Sequence, residues 1–170
     1  MTPYFPFLFR MIGLALVLLS TSVYSADTKQ LFGKQQPGFT LTNLEGQVQS
    51  ESDWQNKVLV INFWASWCTP CRKEIPLFNR LQKEYGPDGV QFIGIAVDTR
   101  DAVLKFIQKT PIDYPVFFGT QEATRLTQDY GNTAGVLPYT VFVDRRGRIQ
   151  TLAPGQLNET YTRKHLEKLL

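Results

Sequence analysis

Seven residues, Val58 to Trp64, constrain this chain more than any other stretch. They form a nearly continuous β-branched, aliphatic and aromatic run, interrupted only by Asn62. Such a run reads as a central strand covered on both faces, as parallel sheets require. Cys68-Thr69-Pro70-Cys71 follows almost at once. Pro70 suits the first turn of a helix, where its missing N–H would be unpaired anyway. Ile75, Phe78, Leu81 and Tyr85 then recur at helical spacing and give one apolar face. The strand therefore leads through the cysteine pair directly into a helix, and Pro76 inside the pattern predicts a kink.

The remaining segments fit around this unit. Phe39-Thr40-Leu41 and Gln47-Val48-Gln49 flank Gly46 and predict a short N-terminal β-hairpin, followed by a helical turn over 50–56. Val90 to Val97 reads as a second buried strand. A helix from about Asp101 to Lys109 should present Val103, Phe106 and Ile107. Tyr114 to Phe118 is a short extended piece, and Gln121 to Tyr130 a helix closed by Gly131. Tyr139 to Val143 and Arg148 to Ala153 flank a tight turn, and Asn158 caps a last helix through about Leu169. The fold class is α/β, with helices on both faces of a mixed sheet.

The first 25 residues stand apart from this pattern. Arg10 precedes an apolar run from Met11 to Leu19 and a small, polar tail ending at Ser25-Ala26. That is the layout of a secretory signal. The run falls short of the roughly 20 residues that span a bilayer. Phe5, Phe7, Leu8 and Phe9 extend its apolar character, so an uncleaved N-terminal anchor is the alternative. Either places the rest of the chain outside the cytoplasm, in the periplasm or cell envelope. Residues 1–25 are read as the signal or anchor, 26–37 as a linker, and 38–170 as one domain. Beyond the signal, 17 basic and 15 acidic residues remain, too balanced for a nucleic-acid or anionic-lipid binder. Arg145-Arg146-Gly147-Arg148 reads as a solvated hairpin tip, because Asp144 opens it and glycine follows.

Two cysteines in 170 residues, three apart, are not a stapling framework. A loop this short removes little chain entropy, so the pair is chemical rather than structural. A thiol at a helix N-terminus sees the positive end of the dipole and unpaired N–H groups, which favour the reactive thiolate. Cys68, at the mouth of the turn, is the expected attacking sulfur, and Cys71, one turn in, the resolving one. Structural zinc needs four ligands, whereas this chain offers two cysteines and His165. Covalent haem attachment calls for His directly after the second cysteine, and Arg72 stands there. No metal site is expected. Nothing points to a nucleotide or flavin either, so the Cys68–Cys71 pair is the only redox group expected.

Val58 to Pro76, with Trp67-Cys68-Thr69-Pro70-Cys71 at its centre, resembles the active-site segment of the TlpA/ResA-like branch of the thioredoxin superfamily. Gly135-Val136-Leu137-Pro138-Tyr139-Thr140-Val141-Phe142-Val143-Asp144 resembles that branch's second landmark. The resemblance covers residues 37 to 169. It implies a thioredoxin fold with an N-terminal hairpin and a central helix–strand insert. It makes Pro138 a cis-proline facing the cysteines, where a substrate backbone pairs. Trp67, Thr69, Pro70 and Leu137 complete the implied substrate rim. Asn62 sits where cytoplasmic thioredoxins keep a buried acid, and Asn cannot take a proton. The branch instead implies Glu74, one helical turn beyond Cys71, as proton acceptor.

The implied activity is disulfide reduction on exported proteins, apocytochrome c among them, with a membrane thiol transporter as electron donor. Two alternatives stand beside it. A peroxiredoxin-like peroxidase would need a threonine three residues before its cysteine, where this chain has Ala65. A non-enzymatic metal or haem module would need more soft ligands than two thiols and one histidine.

Overall fold

The computed structural model describes residues 30–170. The expected signal, and the start of the expected linker, lie outside the described residues.

Strands β1 (Thr40–Thr42) and β2 (Val48–Ser50) form the N-terminal hairpin, and a 3-10 turn (Glu51–Trp54) follows. Next come β3 (Val58–Trp64), α1 (Thr69–Tyr85), β4 (Val90–Val97), α2 (Arg100–Ile107), β5 (Val116–Gly119) and α3 (Gln121–Asp129). The chain ends with β6 (Tyr139–Val143), β7 (Ile149–Pro154) and α4 (Glu159–Leu169). The main sheet runs β5-β4-β3-β6-β7. Strands β3, β4 and β5 are parallel, β6 runs antiparallel to β3, and β7 runs antiparallel to β6. This is the thioredoxin fold with its N-terminal hairpin and the inserted α2–β5 pair.

Every residue of β3 is buried, because β3 lies mid-sheet with both faces covered. The strand's alternation divides its side chains. Leu59, Ile61 and Phe63 pack with Phe39, Trp54, Leu126 and Tyr130 under α3 and the 3-10 turn. Val58 and Val60 pack with Phe78, Leu81, Tyr85 and Leu166 under α1 and α4. By the same alternation Asn62 and Trp64 face α1. Trp64 joins a third cluster with Cys68, Cys71, Ile75 and Val103, and its ring meets Phe106 at 5.2 Å between centroids. Trp64 is therefore core, as expected, and only Val103 of α2 is fully buried.

Register carries the site's geometry. The last β3–β6 pair is Phe63 with Tyr139. Because β6 runs against β3, Pro138 enters the sheet at the end where the chain leaves for Cys68. Across the other edge Asn62 pairs with Gly94. A Cβ on Gly94 would come within 3.1 Å of Trp64 Nε1 and 3.2 Å of a Tyr114 ring carbon, so glycine there lets two aromatics pack over the strand.

Pro76 stands inside its helix as expected, and the stretch before the hairpin differs in detail from expectation. Helix α1 continues through Pro76 to Tyr85. Both Pro76 and Arg72, whose carbonyl loses its helix bond to the proline, are exposed residues. In the stretch read as a linker, residues 33–36 run along the start of β7. Gly33 donates to the Ile149 carbonyl at 2.7 Å, Ile149 donates to the Lys34 carbonyl at 2.9 Å, and Gln35 bridges Arg148. These bonds cover an edge strand. Among the described residues, no helix is long and apolar enough to cross a membrane.

Candidate active site

Cys68 is the N-cap of α1, and its sulfur accepts the Cys71 N–H at 3.3 Å. The two sulfurs are bonded, with Cα atoms 5.3 Å apart. Cys68 is 5% exposed and Cys71 is 0% exposed, so only Cys68 offers surface to a partner. In the dithiol state the N–H that reaches Cys68 Sγ would stabilise negative charge there, in the sense of the helix dipole. No acidic residue lies in the first turn of α1 to oppose that effect.

Glu74 follows Cys71 by one turn, on the inner face of the helix, and is 1% exposed. It pairs with neither Arg72 nor Lys73. Asn62 Nδ2 donates to its Oε1 at 2.8 Å, and the Leu157 N–H donates to its Oε2 at 3.0 Å. Burial pushes the carboxyl up to about 7, while the Leu157 and Asn62 hydrogen bonds pull it back in part. Asn62 also donates to Thr140 Oγ1 at 3.0 Å, which fixes its amide between β6 and α1. Burial, and secondarily the Glu74 charge, push the nearby Tyr114 hydroxyl well above its ordinary range.

The second landmark closes over the first. The Leu137–Pro138 peptide bond is cis, and Pro138 is buried at the start of β6. Leu137 is half-buried and packs against the cluster that contains both cysteines. Trp67 is 68% exposed beside Cys68, Thr69 is exposed, and Pro70 is half-buried. All the residues expected at the rim therefore gather at one mouth. His165 belongs elsewhere, stacked on Tyr161 of α4 at 4.1 Å and tilted against Phe142.

Three contributors were not read from the sequence. Asp98, at the end of β4, accepts from Ser66 N–H at 3.0 Å and Ser66 Oγ at 2.7 Å, and so anchors the loop that delivers Cys68. Its position just beyond a parallel strand's carboxyl end was a usable signal, because α/β sites collect there. Leu157 acts through its backbone, which carries no sequence signature. Gly155, two residues earlier, donates to the Pro138 carbonyl at 2.8 Å, so one short loop braces both Glu74 and the cis-proline.

The AhpC/TSA family model matches residues 32–152. The chain is 30% identical to the thiol-disulfide oxidoreductase ResA of Bacillus cereus over 171 residues, covering 95% of each. It is 32% identical to the thioredoxin-like protein YneN of Bacillus subtilis, covering 81% of this chain and 78% of that one. A thiol:disulfide interchange protein of the thioredoxin family from Chlorobium tepidum superposes with a TM-score of 0.72 at 26% identity. That match covers 81% of this chain and 96% of the other.

Proposed function

This chain belongs to the AhpC/TSA family, in its TlpA/ResA-like branch of thiol–disulfide oxidoreductases, and we propose that it works as an envelope disulfide reductase through a Cys68/Cys71 cycle. The observation that carries this reading is the placement of Glu74: a buried carboxyl raised to about 7, one turn from Cys71, with Cys68 the only cysteine of the pair that retains any accessible surface.

The cycle starts from the dithiol. Cys68 thiolate attacks one sulfur of a partner disulfide. A Cys68–partner mixed disulfide forms, and the partner's other sulfur leaves as thiolate. Cys71 gives its proton to the Glu74 carboxylate and attacks Cys68 Sγ. The partner's second sulfur leaves, and the Cys68–Cys71 disulfide remains. Two electrons have passed to the partner, and the proton on Glu74 is released to the departing thiolate or to water. Leu137 and cis-Pro138 would hold the partner backbone beside Cys68, with Trp67, Thr69 and Pro70 completing the rim.

Residues 1–25 support export, by a cleaved signal or a retained anchor. Exported protein disulfides are the substrate class, with apocytochrome c as a candidate. Electrons would come from a membrane thiol transporter and pass through the Cys68–Cys71 disulfide. Ala65 supplies no hydroxyl to hold a peroxide, which counts against peroxidase chemistry.

The direction of electron flow is tested by equilibrating the pair with glutathione buffers. A reduction potential near that of thioredoxin, about −270 mV, is expected for a reductase. A potential near about −120 mV would mark an oxidant and overturn the proposed direction.

A further inference from the structure

Five segments meet at the end of the sheet where Cys68 sits: residues 65–68, 98–99, 120, 130–138 and 155–158. Asp98 is the only charged residue in any of them. It is 9% exposed, so its carboxylate is turned into the protein rather than toward a partner.

Every hydrogen-bond partner of that carboxylate is a neutral donor. Oδ2 accepts Ser66 N–H at 3.0 Å and Ser66 Oγ–H at 2.7 Å, and Oδ1 accepts Thr99 N–H at 2.8 Å. Among the described residues, no cation pairs with it. The other charged residues close to this turn in the chain are Arg72 and Lys73 of α1 and Arg100 and Asp101 of α2, all exposed. Arg100 is committed to the Leu44 carbonyl at 2.8 Å. Three hydrogen bonds thus satisfy the Asp98 carboxylate and leave its charge uncancelled.

The grip falls on the turn that carries the nucleophile. Cys68 N–H donates to the Ala65 carbonyl at 3.1 Å, which closes residues 65–68 into one tight turn with Ser66 inside it. Asp98 is itself fixed, because its N–H donates to the Gly119 carbonyl at 3.2 Å where β4 and β5 end. Chain geometry keeps the Ser66 and Cys68 Cα atoms no more than about 7.6 Å apart. At that range, beneath a protein surface, a unit charge acts with more than thermal energy.

Helix α1 brings no acid to its first turn, so the charge that opposes its dipole at Cys68 comes from β4. A thiolate at Cys68 belongs to the reduced pair alone. A charge that destabilises it weakens the dithiol, and a weaker dithiol is a stronger reductant.

We propose that Asp98 is the positioning residue of the nucleophile and keeps the pair reducing: it fixes the 65–68 turn through Ser66, and its uncancelled charge opposes the Cys68 thiolate. This rests on Cys68 being the attacking sulfur. Glu74 faces Cys71 from the other side of α1 and is the same in every protein compared below.

The test compares the full chain with Asp98→Asn, Asp98→Ala and Ser66→Ala. Asparagine keeps an acceptor for Ser66 and removes the charge, whereas alanine removes both. Each protein is equilibrated with glutathione buffers, and Cys68 alkylation by iodoacetamide is followed against pH in a Cys71→Ser background. Asp98→Asn should shift the equilibrium roughly three- to tenfold toward the dithiol and move the alkylation profile to lower pH. Asp98→Ala should share that shift and also slow reduction of a peptide disulfide below the Asn rate, since the turn is released. Ser66→Ala, which keeps the charge and the backbone bond, should stay within about twofold of wild type at equilibrium. Should the Ala variant fold poorly, Asp98→Asn alone decides. An unchanged equilibrium in Asp98→Asn, or a shift toward the disulfide, would overturn the proposal while Cys68 still reacts. Failure of Cys68 to alkylate in the Cys71→Ser protein with Asp98 intact would instead overturn the Cys68 assignment and this proposal with it.

Discussion

Cys68→Ser brings disulfide reduction down to the uncatalysed rate, whereas Cys71→Ser leaves the first step intact and accumulates mixed disulfides with partners. The asymmetry follows from position. Cys68 is the N-cap of α1, receives the Cys71 N–H at its sulfur, and is the only one of the pair with exposed surface. A serine hydroxyl at that place is held by the same N–H but is not ionised near neutral pH, so no nucleophile remains. Cys71 is fully buried and can reach only Cys68 Sγ. Without it, the bond between Cys68 and its partner has no internal resolving thiol. Non-reducing gels and mass spectrometry of the Cys71→Ser protein, incubated with a disulfide-bonded substrate, should show the covalent adduct. In the same protein, Cys68 should alkylate with iodoacetamide faster than free cysteine near neutral pH. An adduct formed by the Cys68→Ser protein instead would reverse the two roles.

Glu74→Gln should change how stability depends on pH by about 3 kcal/mol. The Glu74 carboxyl lies at about 7 in the folded protein, against an ordinary 4.5, with burial the main cause. Between those values the folded protein holds a proton that the unfolded chain has released. Stability from this group is thus fully present below about pH 4.5, declines as pH rises, and is lost above about pH 7. Glutamine keeps the size and cannot ionise. The stability difference between the two proteins should therefore shift toward Glu74→Gln as pH rises from 4.5 to 7, and level off above that. The oxidised form is the one to measure, because disulfide-bonded cysteines do not titrate. Urea unfolding at a series of pH values gives the difference directly. A difference independent of pH would mean that Glu74 ionises as an ordinary surface carboxyl.

The parts of the fold that are local in sequence were legible there. The β3 run, the helical recurrence after Cys71, and the caps at Asn158 and Gly131 each express a short-range rule. Asn158 does accept the Tyr161 N–H, and Gly131 does take a positive φ. Helix ends shifted by a residue or two where no strong cap fixed them, as at Ile107. The cysteine pair was visible because spacing and context coincide in one segment. The Glu74 environment was half visible: the resemblance put Glu74 one helical turn beyond Cys71, and put Asn62 where cytoplasmic thioredoxins keep a buried acid. What closes the cage, the Leu157 N–H, comes from 83 residues away through the backbone, where side-chain identity leaves no trace. The packing of residues 33–36 along β7 was hidden for the same reason, since it rests on main-chain bonds.

The most direct test of the proposed cycle is the pH dependence of mixed-disulfide resolution. Wild-type and Glu74→Gln proteins are preloaded at Cys68 with a chromophoric thiol, and release is followed by stopped flow from pH 5 to 9. If Glu74 accepts the Cys71 proton, wild-type release rises through a transition near pH 7, coupled to the Cys71 thiol. The Gln variant should lose that transition and release more slowly at neutral pH, rising only as Cys71 ionises at higher pH. Superimposable profiles for the two proteins would contradict the mechanism, because water would then serve as proton acceptor and the buried carboxyl would have no part in the exchange.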